Sequence, residues 1–75
     1  MARETLDARG AQCPGPLMEL IAKIKLIAVG DEIELLSSDM KTYEDVPLWC
    51  EKVGHEIAER EERGDHVSVV VRRSK

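Results

Sequence analysis

Gly54-His55-Glu56-Ile57-Ala58-Glu59-Arg60-Glu61-Glu62-Arg63-Gly64-Asp65 reads two ways, and the fold depends on which reading is taken. The Glu, Ala and Arg residues in its middle are strong helix formers and would prolong a helix arriving from upstream. Gly54, however, is a good helix C-terminal cap, and Arg63-Gly64-Asp65 has hairpin-turn chemistry leading into the β-branched run Val67-Ser68-Val69-Val70-Val71. A strand entered through a hairpin needs a partner. Residues 55–62 are therefore read as a strand, with their charges on an open face of an antiparallel pair. His55 and His66 then fall at strand ends or turns, where a structural or solvated role outweighs a catalytic one, although either ring titrates near neutral pH.

Working back from Gly54, Asp45-Val46-Pro47 reads as a helix start, with Asp45 as N-cap and Pro47 at N2, where a missing N–H is harmless. Val46, Trp49, Cys50 and Val53 then line one face. Cys50 has no neighbouring cation and takes the place of a small buried hydrophobe, with a resolving thiol as the alternative. Trp49 reads as core or interface filler. Residues 32–37 alternate, Ile33 and Leu35 against Glu34 and Leu36, which fits a strand buried mainly on one side. Before it, Leu20, Ile21, Ile24 and Ala28 recur at helical spacing opposite Glu19 and Lys23, predicting an amphipathic helix over 14–28 that Gly30-Asp31 ends. Residues 4–7 are β-compatible and Gly10 closes them, so the chain opens on a strand. Strand, helix and strand in that order make a βαβ unit with a right-handed crossover and parallel strands.

That unit frames Gln12-Cys13-Pro14-Gly15-Pro16-Leu17. A residue before proline is pushed toward extended geometry, the backbone state of an N-cap, so Cys13 is expected just outside a helix that Pro14 opens. Pro14 and Pro16 abolish two of the three N–H groups normally open at the helix start, leaving that of Gly15. The positive end of the helix dipole favours a thiolate, and the missing donors keep the effect small. A thiol so tuned stays a good nucleophile, because intrinsic nucleophilicity falls as thiol pKa falls. Parallel strands bring their carboxyl ends to one edge, which makes Ser38-Asp39-Met40-Lys41 a neighbour of Cys13. Asp39 there either fixes the loop beside the thiol or is a plain turn former, and Lys41 either adds positive potential or is a solvated charge. Gln12, Gly15, Met18, Met40 and Lys41 would form a flat exposed surface around the sulfur, with Met18 equally readable as core.

Seventy-five residues make one domain, and a chain of that size buries only about 60% of its extended surface, so a thin two-layer structure is expected. With 43% hydrophobic and 35% charged residues, it has a globular composition. No apolar run nears the roughly 20 residues needed to span a bilayer, and no basic n-region and apolar h-region open the chain, so a cytoplasmic protein that does not enter the membrane is expected. A net charge of −4 argues against direct nucleic-acid binding, and Arg72-Arg73-Ser74-Lys75 reads as a short solvated basic terminus. Cys13, Cys50, His55 and His66 lack metal-ligand spacing, and a reducing compartment argues against a structural disulfide.

Leu6-Asp7 with Gly10, Cys13-Pro14-Gly15-Pro16, Ser38-Asp39, Asp45-Val46-Pro47 and Gly54-His55 together resemble the TusA family of sulfur-carrier proteins, also called SirA-like, over nearly the whole chain. The resemblance implies an α/β two-layer sandwich of order βαβαββ, with two helices on one face of a four-stranded mixed sheet. It implies that Cys13 carries sulfane sulfur as a persulfide, with Pro14, Gly15, Pro16 and Asp39 as motif and positioning residues; Lys41 is an accessory candidate from its place in the neighbouring loop alone. No metal or organic cofactor is needed for that sulfurtransferase-type chemistry. The partners implied are a cysteine desulfurase or rhodanese-like sulfur donor and an acceptor protein. Destinations in the family include tRNA thiolation, molybdenum cofactor assembly and sulfur oxidation. Gly15 stands where some members of the tRNA-thiolation branch have glutamate, so the branch is open. Two other readings of the residues remain: a non-catalytic regulatory or adaptor module with a redox-sensitive Cys13, and a dithiol oxidoreductase pairing Cys13 with Cys50.

Overall fold

A computed structural model of the chain describes residues 3–10 and 15–75, with Pro16 described by its backbone alone. The elements in order are β1 (Arg3–Asp7), α1 (Gly15–Ile24), β2 (Glu32–Ser37), α2 (Thr42–Val53), β3 (Glu56–Glu62) and β4 (Val67–Arg72). The sheet runs β1-β2-β4-β3, with β1 parallel to β2 and β4 antiparallel to both β2 and β3. This is the expected α/β sandwich: four mixed strands, two helices on one face. No helix among the described residues is long and apolar enough to cross a membrane.

The period-2 pattern of the central strands produces the layering. Ile33 and Leu35 of β2 and Val69 and Val71 of β4 point to the helix side, where they join Leu20 and Ile24 of α1 and Val46 and Cys50 of α2 in one core. The strand assigned to residues 55–62 is present as β3, entered as expected. Gly54 sits at φ 90°, a left-handed conformation that costs glycine little, and its N–H caps the carbonyl of Cys50 at 2.8 Å. A helix stopped there leaves the following charged residues to pair with β4, and a register shift between Ile57 and Glu59 adjusts that pairing.

Three expectations need correction. The predicted helix over 14–28 has its start at Pro14 outside the described residues, and its end comes at Ile24. The chain instead tightens through a Leu26 N–H to Lys23 carbonyl bond of 2.9 Å, which carries Ile27 into the core in place of the smaller Ala28. The freed carbonyls are met from far away, because the Arg73 guanidinium donates to the carbonyls of Lys25 and Ile27. The basic terminus is thus tied down, and Arg73 also exchanges backbone bonds with Gly30 and Asp31 at 2.7 and 2.9 Å.

The second correction concerns α2, which begins at Thr42 with Lys41 as its N-cap position, so that Asp45 lies in the first turn and Pro47 inside the helix. Winding starts early because Asp39 organises the corner: its carboxylate accepts the Lys41 N–H at 2.9 Å and its carbonyl accepts that of Thr42 at 3.0 Å. Third, Val53 at the last turn is 38% exposed, and Thr42 occupies the buried face at the opposite end.

Candidate functional site

The carboxyl ends of β1 and β2 meet at one edge, as the parallel pairing requires. The pairing carries on past the strand, since the Ala8 N–H donates to the Leu36 carbonyl at 2.8 Å. Asp7 then accepts the backbone N–H of Arg9 at 3.1 Å and its Nε at 2.9 Å, and Arg9 Nη2 stands 2.8 Å from the other carboxylate oxygen. These bonds push the Asp7 carboxyl down to about 2. Gly10 follows in the left-handed region at φ 92°, with its N–H on Ser38 Oγ at 2.6 Å. Gln12, Cys13 and Pro14 lie outside the described residues. The chain is described again from Gly15, the first residue of α1, with Met18 one turn on and 59% exposed.

The facing wall is the corner between β2 and α2. Ser37 and Thr42 are both buried, and their hydroxyls bond at 3.0 Å, while Ser37 Oγ also accepts the Asp39 N–H at 3.1 Å. Two buried hydroxyls satisfied by each other and by the backbone make a stiff turn. On it stand Ser38 and Lys41, both exposed, and Met40, 43% exposed. The expected neighbourhood of Ser38 and the loop after β1 is therefore present up to Gly10. Met18 is surface, which resolves the two readings of that residue. Asp39 acts through the turn.

Cys50, on α2, is 1% exposed, and burial pushes its thiol up to about 11. A thiol so placed is a poor nucleophile and a poor resolving partner. His55 and His66 stand at a strand end and a turn, as expected. His55 Nδ1 accepts the Ser74 N–H at 3.1 Å, and its ring lies 5.4 Å from that of Trp49. His66 Nδ1 is 2.6 Å from Asp65 Oδ1. Two features escaped the sequence reading: the Asp7–Arg9 clamp and the Ser38 hydroxyl on Gly10. The signal for the second was a pair of serines followed by Asp at a strand end, a pattern that favours side-chain capping of nearby backbone.

Residues 4–73 match the family model described as Sulfurtransferase TusA. A protein of Archaeoglobus fulgidus that bears a sulfur-carrier name is 46% identical over 70 residues, covering 93% of this chain and 96% of its own length. The sulfur carrier protein TusA of Pseudomonas paraeruginosa is 39% identical over 57 residues, 76% of this chain and 72% of that one. In fold, the crystal structure of a SirA-like protein from Desulfitobacterium hafniense superposes with a TM-score of 0.83 over 96% of this chain and 99% of that one, at 19% identity.

Proposed function

This chain belongs to the TusA family, and we propose that it is a sulfur carrier in which Cys13 accepts sulfane sulfur as a persulfide and relays it to a partner protein. The observation that carries the reading is the contrast between the chain's two cysteines. Cys50 is sealed in the core with its thiol pushed up, so sulfur loaded on the folded protein falls to Cys13, the thiol of the Cys13-Pro14-Gly15-Pro16 motif.

The Cys13 thiolate attacks the outer sulfur of a donor persulfide. A new sulfur–sulfur bond forms to Cys13, the bond within the donor persulfide breaks, and the donor leaves as a thiolate. An acceptor thiolate then repeats the exchange on the outer sulfur, and Cys13 departs as a thiolate. No oxidant or reductant is consumed. Pro14 and Pro16 stiffen the start of α1, Gly15 keeps an open N–H at its first turn, Asp39 holds the facing corner and Lys41 adds positive potential. The donor is a cysteine desulfurase or a rhodanese-like protein and the acceptor a second protein, met in the cytoplasm. Exposed Met18 and Met40 give the pliable apolar contact that serial docking on two partners uses.

Mass spectrometry after incubation with a persulfidic donor tests this. Wild type and Cys50→Ala should gain one sulfur atom, and Cys13→Ser none; equal labelling of Cys13→Ser would end the proposal.

A further inference from the structure

We propose that His55 is a pH-operated latch, which holds Ser74 and Lys75 over the C-terminal end of α2 and releases them when its imidazole takes up a proton. Cys13 plays no part in it. β4 ends at Arg72, yet the chain beyond keeps to the ladder: the Arg73 N–H donates to the Asp31 carbonyl at 2.9 Å, and the Gly30 N–H to the Arg73 carbonyl at 2.7 Å. The Arg73 guanidinium reaches the carbonyls of Lys25 and Ile27 just past the end of α1, and its Nε also donates to the Lys75 carbonyl at 2.7 Å. Lys75 in turn lies along Gly54, the C-cap of α2. A Cβ added to that glycine would stand 2.7 Å from Lys75 Cε and 2.9 Å from its Nζ. Each helix thus ends against a cation, the sign that its dipole favours there.

One bond of this strap depends on protonation. Ser74 gives its N–H to His55 Nδ1 at 3.1 Å, and a ring nitrogen accepts only while it carries no proton. The charged groups acting on the ring are Arg73 and Lys75, both cationic; α2 presents the Trp49 ring at 5.4 Å, and the next residue of β3, Glu56, is engaged by Arg72 at 3.3 Å. Protonation therefore sets a donor against the Ser74 N–H and adds a third positive charge beside two. Burial, then the charges of Arg73 and Lys75, lower the ring's pKa from the ordinary 6.5. A closed latch that resists the proton is, by reciprocity, one that the proton opens. The latch is shut above pH 6.5 and opens as pH falls through the lowered folded value. The bonds of Arg73 to Gly30 and Asp31 do not titrate here, so opening begins at Ser74 and leaves the ladder in place.

NMR on the full chain tests this, with pH lowered from about 8 until the His55 ring has titrated. The ring signal gives the midpoint, and amide exchange, corrected for its intrinsic rate at each pH, gives the protection of Ser74. That protection should fall about five- to tenfold with the same midpoint as the ring, the loss expected for one hydrogen bond. The amides of Gly30 and Val69 should keep theirs, marking an intact ladder and core. His55→Asn, which offers an acceptor that does not titrate, should hold Ser74 protected throughout. Should that variant fold poorly, Lys75→Gln makes the comparison: with one cation gone, the ring should titrate at a higher pH and the Ser74 midpoint move up with it. A Ser74 amide already unprotected at neutral pH overturns the proposal, as does protection that stays constant while the ring titrates or falls equally in His55→Asn. Simultaneous loss at Val69 overturns it too, since the transition would then be global unfolding.

Discussion

Cys50 and His55 lie at the same end of α2, and each is governed by what surrounds it. With 1% of its surface exposed and its thiol pushed up to about 11, Cys50 holds almost no thiolate at neutral pH. Its place in the core is that of a small apolar side chain, so Cys50→Ser, which buries a hydroxyl there, should cost about 1–3 kcal/mol in urea unfolding. A neutral result would mean that the pocket supplies a hydrogen-bond acceptor. His55 is tuned by its charge state. Its Nδ1 accepts the Ser74 N–H at 3.1 Å, so the ring is neutral with its proton on Nε2. Burial first, then Arg73 and Lys75, lower its pKa from the ordinary 6.5. The unfolded chain therefore binds this proton more readily than the folded one. The stabilisation from His55 is complete above pH 6.5 and is lost as pH falls through the lowered folded value. The urea midpoint of wild type should drop on acidification below pH 6.5. His55→Asn, which keeps an acceptor near the Nδ1 position but does not titrate, should flatten that drop; an unchanged pH profile would remove His55 as its cause.

At the level of the element, α2 shows how a helix tolerates an internal proline. Pro47 offers no N–H to the carbonyl of Tyr43, a defect that costs about 3 kcal/mol in an ordinary helix interior. Arg60 of β3 fills the gap: its guanidinium donates to the Tyr43 carbonyl at 3.3 Å and lies 4.5 Å from the centre of the Tyr43 ring. Arg60→Ala should cost about 0.5–1.5 kcal/mol in wild type and less in a Pro47→Ala background, where a backbone N–H again reaches that carbonyl. A double-mutant cycle by urea unfolding measures the coupling, and strict additivity would show that Arg60 does not compensate for the proline. The same pair explains why the start of α2 is not legible in its local sequence. Asp45-Val46-Pro47 carries the local marks of a helix start, whereas what permits winding from Thr42 onward includes an arginine 17 residues beyond Tyr43. The end of α1 was obscured likewise, its loose carbonyls being met by Arg73. By contrast, the strand nature of β3 was legible despite its helix-forming composition, because Gly54 and the Arg63-Gly64-Asp65 turn are local devices and the valine run demanded a partner. In the candidate site, parallel pairing made the meeting of the two loops legible. The Ser38 bond to Gly10 was not, since it depends on how far each loop travels.

For the whole molecule, helices on one face leave the other face of the sheet open, and a charge lattice covers it. One rung of the ladder pairs Arg3 with Glu32, Glu32 with Arg72, and Arg72 with Glu56, so its charges alternate across all four strands. Glu32 accepts from both arginines, Arg3 Nη2 at 2.8 Å and Arg72 Nη2 at 2.8 Å. From the sheet's far edges, Arg3 and Glu59 join at 3.2 Å, which requires their side chains to reach across the central strands, where Val70 is 1% exposed. Individual surface ion pairs contribute little, but a carboxylate shared by two guanidiniums is a network, and its charges also discourage pairing by the edge strands. The hydrogen bonds from Arg72 and Arg3 lower the Glu32 pKa from 4.5. The sign follows: Glu32 contributes its full stabilisation above pH 4.5 and loses it as pH falls through the lowered folded value, with Asp7 acting in the same direction down to about 2. Glu32→Gln should therefore lower the urea midpoint at neutral pH by more than Glu56→Gln does, because it leaves two guanidiniums without their shared partner. Its deficit relative to wild type should shrink on acidification below pH 4.5, where the wild-type side chain itself becomes neutral and nearly isosteric with glutamine. A deficit that stays constant into acid would assign the loss to packing and not to charge.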